Sequence, residues 1–351
     1  LDAAVSLGER MSSRLVAAVL REHNVDAKQF DATALIRTTD IFQDADPLWA
    51  ETESQIRRIL VPALESGKVP VITGFIGATH DDIVTTLGRG GSDYSAAIMA
   101  AYNGSDELII WTDVDGVMTT DPRLDSRARV LPQVSYQEVG ELAFYGAKVL
   151  HPKTVQPIID LDMPVWVRNT FNPIYPGTYI SRESEVSNTV IKAVTVVRDV
   201  SLATISGRGM LGVPGIAGRA FTATAAAGAS ILMISQSSSE QSICFMVPEQ
   251  KAEDTKLAIE TALAEEIRGR DVNEVSIQND VVIITAVGSG MRGTPGVAGR
   301  VFTQMGNDEV NVLAIAQGSS ECSISFVVAA EDTERAVVLL HDLAIETVAA
   351  G

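Results

Sequence analysis

Residues 207–247 of this chain are written a second time at residues 288–328, with about half of the aligned positions identical at a spacing of roughly eighty residues. Gly209-Met210-Leu211-Gly212-Val213-Pro214-Gly215 returns as Gly290-Met291-Arg292-Gly293-Thr294-Pro295-Gly296, and Gln236-Ser237-Ser238-Ser239-Glu240 returns as Gln317-Gly318-Ser319-Ser320-Glu321. Each copy reads as a strand, a Gly/Pro loop, a helix, two strands joined near the Ser-Ser-Glu turn, and a second helix. In the second copy Ile324, Phe326 and Val328 alternate with Ser323 and Ser325, which predicts one buried and one wetter strand face. A lone unit of this size has an open sheet edge and little core, so the copies are expected to pair and extend one another's sheets.

The first half has a different texture. Apolar runs at 15–20, 33–37, 56–64, 69–75, 107–112 and 163–167 alternate with helical stretches, which predicts a mostly parallel sheet covered by helices. The runs at 70–75 and 108–111 are apolar throughout, as strands buried on both faces should be. An amphipathic pattern is already running at Val5, Leu7, Met11, Leu15 and Val19. It gives the chain the look of something cut from a longer one. Turn formers and charges crowd residues 172–188, and the domain boundary is expected there.

Ligands of such sheets bind beyond the strand C-terminal ends, and two motifs fall there. In Gly88-Arg89-Gly90-Gly91-Ser92-Asp93 the glycines let backbone approach a ligand, and a helix starting near Ser92 aims free amide N–H groups at an anion. The second motif, Trp111-Thr112-Asp113-Val114-Asp115-Gly116, ends a buried run. Alone, a Gly-rich run is more often a plain turn. Its neighbours change those odds.

Composition narrows the partners. A formal net charge of -18 argues against nucleic acid and against an anionic membrane surface, both of which need clustered Lys and Arg. No transmembrane span or signal segment is read, and Cys244 and Cys322 lie in strand-like runs, so buried thiols in the cytoplasm are expected. His23, His80, His151 and His341 are scattered, which leaves a Ser/His/Asp or zinc constellation unsupported.

With these motifs together, and with Thr119-Thr120-Asp121-Pro122-Arg123 and Gly146-Ala147-Lys148-Val149-Leu150-His151-Pro152, the chain resembles an aspartate kinase. The resemblance implies an α/β fold: an amino-acid-kinase (carbamate-kinase-like) αβα three-layer sheet over 1–180, then two ferredoxin-like βαββαβ ACT domains at 200–270 and 281–347. The second is completed by a strand at 190–198. It further implies transfer of the ATP γ-phosphoryl to the side-chain carboxylate of L-aspartate, giving 4-phospho-L-aspartate at the head of lysine, threonine and methionine synthesis.

By matching position, Glu9 would accept the substrate ammonium and Arg89 would clamp its α-carboxylate. Ser92 and Asp93 would lie near the reacting groups, Asp93 orienting cations or metal-bound water rather than acting as a base. Thr112, Asp113, Met118, Asp121, Arg123 and Lys148 would line the ATP side, with Mg²⁺ carried by the nucleotide and no direct protein ligand. A carboxylate nucleophile is already ionised, so the need is for cations, and Arg89, Arg123 and Lys148 are the candidates.

Two departures accompany the match. The family begins with a Lys-Phe/Tyr-Gly-Gly-Thr/Ser strand and loop that this sequence does not show. Met118 stands where these kinases commonly carry a tyrosine. The repeated Gln-Ser/Gly-Ser-Ser-Glu segments further resemble the threonine-sensitive aspartokinases, including those fused to homoserine dehydrogenase. They imply effector contacts at Gln236, Gln317, Pro214 and Pro295. Lysine remains the second choice, with Glu240 or Glu321 as the carboxylate it would need. A homo-oligomer through the ACT domains is expected. The alternative reading is a non-catalytic amino-acid-sensing or assembly subunit that lacks the Lys loop.

Overall fold

Asp2 opens the first helix, and its buried carboxylate ties that helix to the sheet it covers: Oδ2 accepts the N–H groups of Gln43 and Thr86, both at 2.9 Å, and the Thr86 hydroxyl at 3.2 Å. The structure is a computed structural model describing residues 1–145, 150, 152–183, 189–237 and 241–345. It divides into two units, the first made of Leu1–Val117, Val130–Phe144 and Lys148–Glu185, the second of Met118–Arg129, Tyr145–Ala147 and Val186–Gly351.

The first unit runs α1 (Asp2–Glu22), β1 (Ala27–Phe30), α2 (Trp49–Ile59), α3 (Val61–Glu65), β2 (Val69–Ile72), β3 (Ile76–Ala78), β4 (Val84–Thr86) and α4 (Gly91–Asn103). It continues with β5 (Leu108–Thr112), β6 (Gln133–Ser135), α5 (Tyr136–Phe144), α6 (Pro152–Ile159), β7 (Val165–Asn169) and β8 (Thr178–Ser181). The pairs β1–β2, β5–β7 and β6–β8 are parallel, β3–β4 is an antiparallel pair of its own, and antiparallel β7–β8 joins two of the parallel pairs into a sheet of order β5-β7-β8-β6, so most pairings are parallel as expected. Phe30, Leu35, Ile36, Ile56, Leu60, Ile76, Leu87 and Ile98 form one buried cluster.

Four sequence expectations need correction here. The run at 33–37 is a 3-10 turn and a single bridge, while the strand lies at Ala27–Phe30, whose Ala-Lys-Gln-Phe sequence hid it. β2 is only half-buried and Val69 is exposed, because the strand pairs through β1. β5 alternates: Leu108 and Ile110 are buried whereas Trp111 is 49% exposed. On α1 the apolar stripe faces outward, with Met11 63% and Leu15 65% exposed; the buried side is Asp2, Ser6, Ser13 and Ala17, small enough to let the helix lie close on β1, β2 and β4.

In the second unit the elements are β9 (Ala193–Ser206), α7 (Ile216–Ala226), β10 (Met233–Gln236), β11 (Ser242–Pro248), α8 (Ala252–Ala262), α9 (Ala264–Gly269), β12 (Glu274–Val287), α10 (Val297–Asn307), β13 (Ala314–Ala316), β14 (Ser323–Ala329) and α11 (Thr333–Ile345). They build a six-stranded sheet in the order β10-β11-β9-β12-β14-β13. The two central strands are shared. The second half of β9 pairs with β11 (Ala203↔Phe245) and with the first half of β12 (Leu202↔Gln278), while its first half pairs with the second half of β12 (Val194↔Ala286). Each copy thus takes its fourth strand from the other's long strand. The pairing shifts register near Gln278 and Val281, and Asp199 and Asp280 sit there with φ of +57° and +54°, a bulge that turns each strand from one module into the next.

Phe221 packs edge-on to Phe245 in the first copy and Phe302 edge-on to Phe326 in the second, each pair 5.6 Å between centroids. The expected wet face of β14 is dry: Ser323 and Ser325 are buried, and Ser325 shares a 2.8 Å hydrogen bond with Thr285. Val327, two residues on from Ser325, joins a further cluster with Val200, Leu202, Met233, Met246 and Ile283, drawn from both copies. Among the described residues no helix is long and apolar enough to cross a membrane.

Candidate active site and effector surfaces

The glycine run closes the gap between β4 and α4. Gly88 and Gly90 have φ of +75° and +72°, a left-handed geometry that L side chains rarely adopt, and a Cβ on Gly91 would come 2.8 Å from the Phe75 ring. Phe75 itself donates its N–H to Ser95 Oγ at 3.1 Å, so the chain after β2 is fastened to the first turns of α4. That turn presents amide N–H groups without intrahelical partners to whatever the loop holds.

The structure brings Glu9 to this loop. Ser92 Oγ donates to Glu9 Oε1 at 3.2 Å, across 83 positions of sequence. Asp93 lies half-buried in the same turn, and burial pushes its carboxyl above the ordinary carboxylate range. Arg89 is exposed in the loop between Gly88 and Gly90. Thr112 and Asp113 end β5, where the Thr112 hydroxyl donates to Asp113 Oδ1 at 3.1 Å. Asp115, two residues on, accepts from Asn169 at 2.8 Å and Asn172 at 3.1 Å and so ties the loops after β5 and β7 together.

A basic residue was missed in the sequence. Lys153 Nζ lies 2.9 Å from Asp44 Oδ1 and 3.6 Å from Asp46, and Asp44 Oδ1 would sit 2.3 Å from a Cβ on Gly88. An ammonium therefore stands one side chain away from the glycine loop, its pKa raised by the Asp44 hydrogen bond. The only hint was its place just past the Gly-Ala-Lys-Val-Leu-His-Pro motif.

Met118, Asp121 and Arg123, the other residues expected on the ATP side, belong to the second unit. Asp121 and Arg123 form a fork, with Arg123 Nε 3.0 and 3.1 Å from the two carboxylate oxygens and Nη2 at 2.6 Å. The guanidinium holds the Asp121 carboxyl below its usual range. Arg123, one of the three candidate cations, is thus paired with a carboxylate of its own turn. Lys148 and Glu240 lie outside the described residues.

In the first repeat Gln236, at the end of β10, lines a cavity of about 330 Å³ together with Pro214, Gly212, Val213, Ile216 and Ile243. Gln317 and Pro295 are exposed at the corresponding places of the second repeat. There Glu321, at a φ of +53°, turns its carboxylate onto the loop, and Oε2 accepts the Gly293 N–H at 2.8 Å. Both cysteines are free thiols, and burial pushes that of Cys244 up.

A glycine loop at a helix start beside a carboxylate-bearing helix, with a duplicated regulatory sheet behind it in sequence, defines an amino-acid kinase joined to ACT modules. Residues 1–169 match the amino acid kinase family, and residues 204–263 and 284–343 each match the ACT domain. The chain belongs to the aspartokinase family. It is 39% identical over 346 residues to bifunctional aspartokinase/homoserine dehydrogenase 1, chloroplastic, of Arabidopsis thaliana, covering 97% of this chain and 38% of that one. With the bifunctional aspartokinase/homoserine dehydrogenase of Haemophilus influenzae it shares 40% over 291 residues, 83% of this chain and 36% of the relative. The chain therefore spans well under half the length of these relatives. Among solved structures, E. coli aspartokinase III in complex with aspartate and ADP (R-state) superimposes with a TM-score of 0.82 at 32% identity, covering 98% of this chain and 76% of that one.

Proposed function

We propose that the chain is the kinase and regulatory portion of an aspartokinase, transferring the γ-phosphoryl of ATP to the side-chain carboxylate of L-aspartate in the cytoplasm. The hydrogen bond between Glu9 and Ser92 carries this reading, because it sets an acceptor for a substrate ammonium against the loop that holds Arg89 and the α4 N-terminus. An amino acid gripped at both poles leaves its side-chain carboxylate as the free nucleophile. One carboxylate oxygen bonds to the γ-phosphorus as the bond to the bridging oxygen breaks, and ADP leaves; no proton is moved. Arg89 and the α4 amides offset anion repulsion, and Asp93 offers the hard oxygen that suits the hydrated Mg²⁺ brought by ATP. When bound, that ion supplies charge neutralisation across the phosphates.

Regulation belongs to the ACT sheet in this reading. An amino-acid effector of threonine's size fits the cavity beside Gln236, whose amide can both donate and accept. Threonine is favoured over lysine because Glu321, one of the two carboxylates that could meet a second ammonium, already accepts the Gly293 N–H. The ACT sheet is also the surface through which a homo-oligomer forms. The E. coli relative in its T-state is described in complex with lysine and aspartate, which keeps lysine in the test.

The deciding experiment is a hydroxamate trap for acyl phosphate with ATP, Mg²⁺ and aspartate, with and without threonine or lysine, on this chain and on a fusion supplying the Lys-Gly-Gly segment. Aspartate-dependent hydroxamate suppressed by threonine is the expected result. Arg89→Ala should raise the KM for aspartate about a hundredfold, as loss of a charge clamp on a carboxylate does. Amino-acid binding without any acyl phosphate from either protein would replace this reading with that of a sensing subunit.

A further inference from the structure

The segment Met118–Arg129 leaves the kinase unit in sequence after Val117 and returns at Val130, and Leu131 N–H to Val117 O at 2.8 Å closes its neck. Its body is fastened to the second ACT module. His341 of α11 is fully buried; Nε2 lies 2.8 Å from Thr119 Oγ1 and Nδ1 lies 2.8 Å from Asp125 Oδ2. Because ionised Asp125 can only accept, Nδ1 donates to it, and Nε2 shares the second hydrogen bond with the Thr119 hydroxyl. Thr119 Oγ1 in turn accepts the Arg129 N–H at 3.0 Å, and Thr119 O accepts the N–H of Val194, from β9, at 2.8 Å.

The same anchor is repeated one residue along. Arg127 forks onto Asp125, with Nη2 to Oδ2 at 2.6 Å, and reaches Asp342 of α11 at 2.6 Å. Leu124 packs on the second module's core cluster. Between the anchors at Thr119 and Asp125 lies the turn that holds Asp121 and Arg123, and its backbone closes through Leu124 and Asp125 N–H groups to Asp121 O at 2.9 and 3.1 Å.

We infer that His341 is a positioning residue for the nucleotide: from the last helix of the second ACT module it holds Thr119 and Asp125, and so sets the turn carrying Asp121 and Arg123. The inference rests on the aspartokinase reading for the claim that this turn meets ATP. It gives the regulatory sheet a direct handle on nucleotide affinity. A buried imidazole bridging two partners suits the task, since removing it leaves both a buried hydroxyl and a buried carboxylate short of a bond.

The test uses His341→Leu, of similar bulk, and His341→Asn, whose amide can still donate to Asp125. Calorimetry with MgADP, amide exchange over Thr119–Arg129, and steady-state kinetics are read together with Tm. His341→Leu should weaken MgADP about tenfold, the loss expected for a buried hydrogen bond to a charged group, and speed exchange in the segment. The KM for aspartate should stay within about twofold, as independent sites do, and His341→Asn should recover part of the affinity. Unchanged MgADP binding, or a fall in Tm with ATP and aspartate parameters moving together, overturns the inference. Wild-type protein that binds MgADP but makes no acyl phosphate, while His341→Leu still weakens that binding, would sink the aspartokinase reading and leave His341 in its role. Wild-type protein that does not bind MgADP at all would end both.

Discussion

In the first ACT copy the outer helix α8 carries Glu260 and Thr261, and Thr261 donates back to Leu257 of its own helix; in the second, the same places on α11 are His341 and Asp342, and both reach Met118–Arg129. The first copy instead ends in α9, where Glu266 meets Arg219 of α7 at 2.5 Å. The apolar framework is duplicated with little change, from the two phenylalanine pairs to the glycines after each long strand. What differs is polar. Duplication supplied the fold twice, and a few side chains on the last helix decide which copy grips the kinase-derived segment.

The comparison breaks most easily at the shared framework. Phe245 and Phe326 are both fully buried and both meet a second ring edge-on. Phe245→Ala and Phe326→Ala should each cost ~3–5 kcal/mol in urea unfolding, the usual loss for a buried aromatic. Equal losses would support one framework used twice. A much smaller loss in either copy would show that the shared strands do not distribute stability evenly.

Next come the glycines that follow β9 and β12. A Cβ on Gly207 would lie 2.0 Å from Asp271 O, and one on Gly288 2.4 Å from Val190 O. Gly207→Ala and Gly288→Ala should each cost ~1–3 kcal/mol, the range for forced overpacking. Each contact is with the segment leading into the neighbouring long strand, so matched losses would confirm that the strand exchange works the same way at both ends.

A smaller and more discriminating effect is expected at the glutamines. Gln236→Ala should raise the threonine concentration for half-inhibition about tenfold, roughly the worth of one good hydrogen bond to a zwitterion, with substrate KM values little changed. Gln317→Ala should do less, because the Glu321 carboxylate already caps the equivalent loop. Equal shifts at the two positions would erase the asymmetry proposed for effector binding.

Much of this was legible because turn chemistry is local. The repeat, its Gly-Pro loops and the Gly88–Asp93 loop all depend on residues a few positions apart, and the structure places helices and strands accordingly. Only half of the strand exchange was legible, the strand expected at 190–198 to complete the second copy; the reciprocal half was not, since nothing in β9 or β12 marks Asp199 and Asp280 as the bulge except two aspartates that tolerate positive φ. The wet face assigned to β14 failed because its serines are buried against strands distant in sequence, Ser325 sharing its hydrogen bond with Thr285 of β12. Glu9 was singled out by its place in the family pattern and lies beside Ser92, whereas Asp2, Lys153 and His341 gain meaning from partners that periodicity cannot see. His341 was set aside as one of four scattered histidines, because its partners Thr119 and Asp125 lie more than two hundred residues away in sequence.

The subtlest separation of the two copies should appear in acid. Asp125 is nearly buried, and its carboxyl is held well below the ordinary range first by the Arg127 hydrogen bonds and then by His341. A carboxyl whose folded pKa is depressed adds stability that is complete above its unfolded value near ~4 and drains away as pH falls toward the folded value. The Tm gap between wild type and Asp125→Asn should therefore be constant from neutral pH down to about 5 and narrow below about 4. Glu266 in the first copy is also lowered, by Arg219, so Glu266→Gln should show a gap of the same sign and pH trend. The two arginines are about equally open to solvent, but Asp125 is the more buried carboxylate and also meets the buried His341, so added salt should shrink the Glu266 gap more than the Asp125 gap. A Tm series at two ionic strengths reads both. If salt reduced the two gaps alike, Asp125 would be an ordinary surface pair, and the contrast between a gripping copy and a free one would lose its electrostatic support.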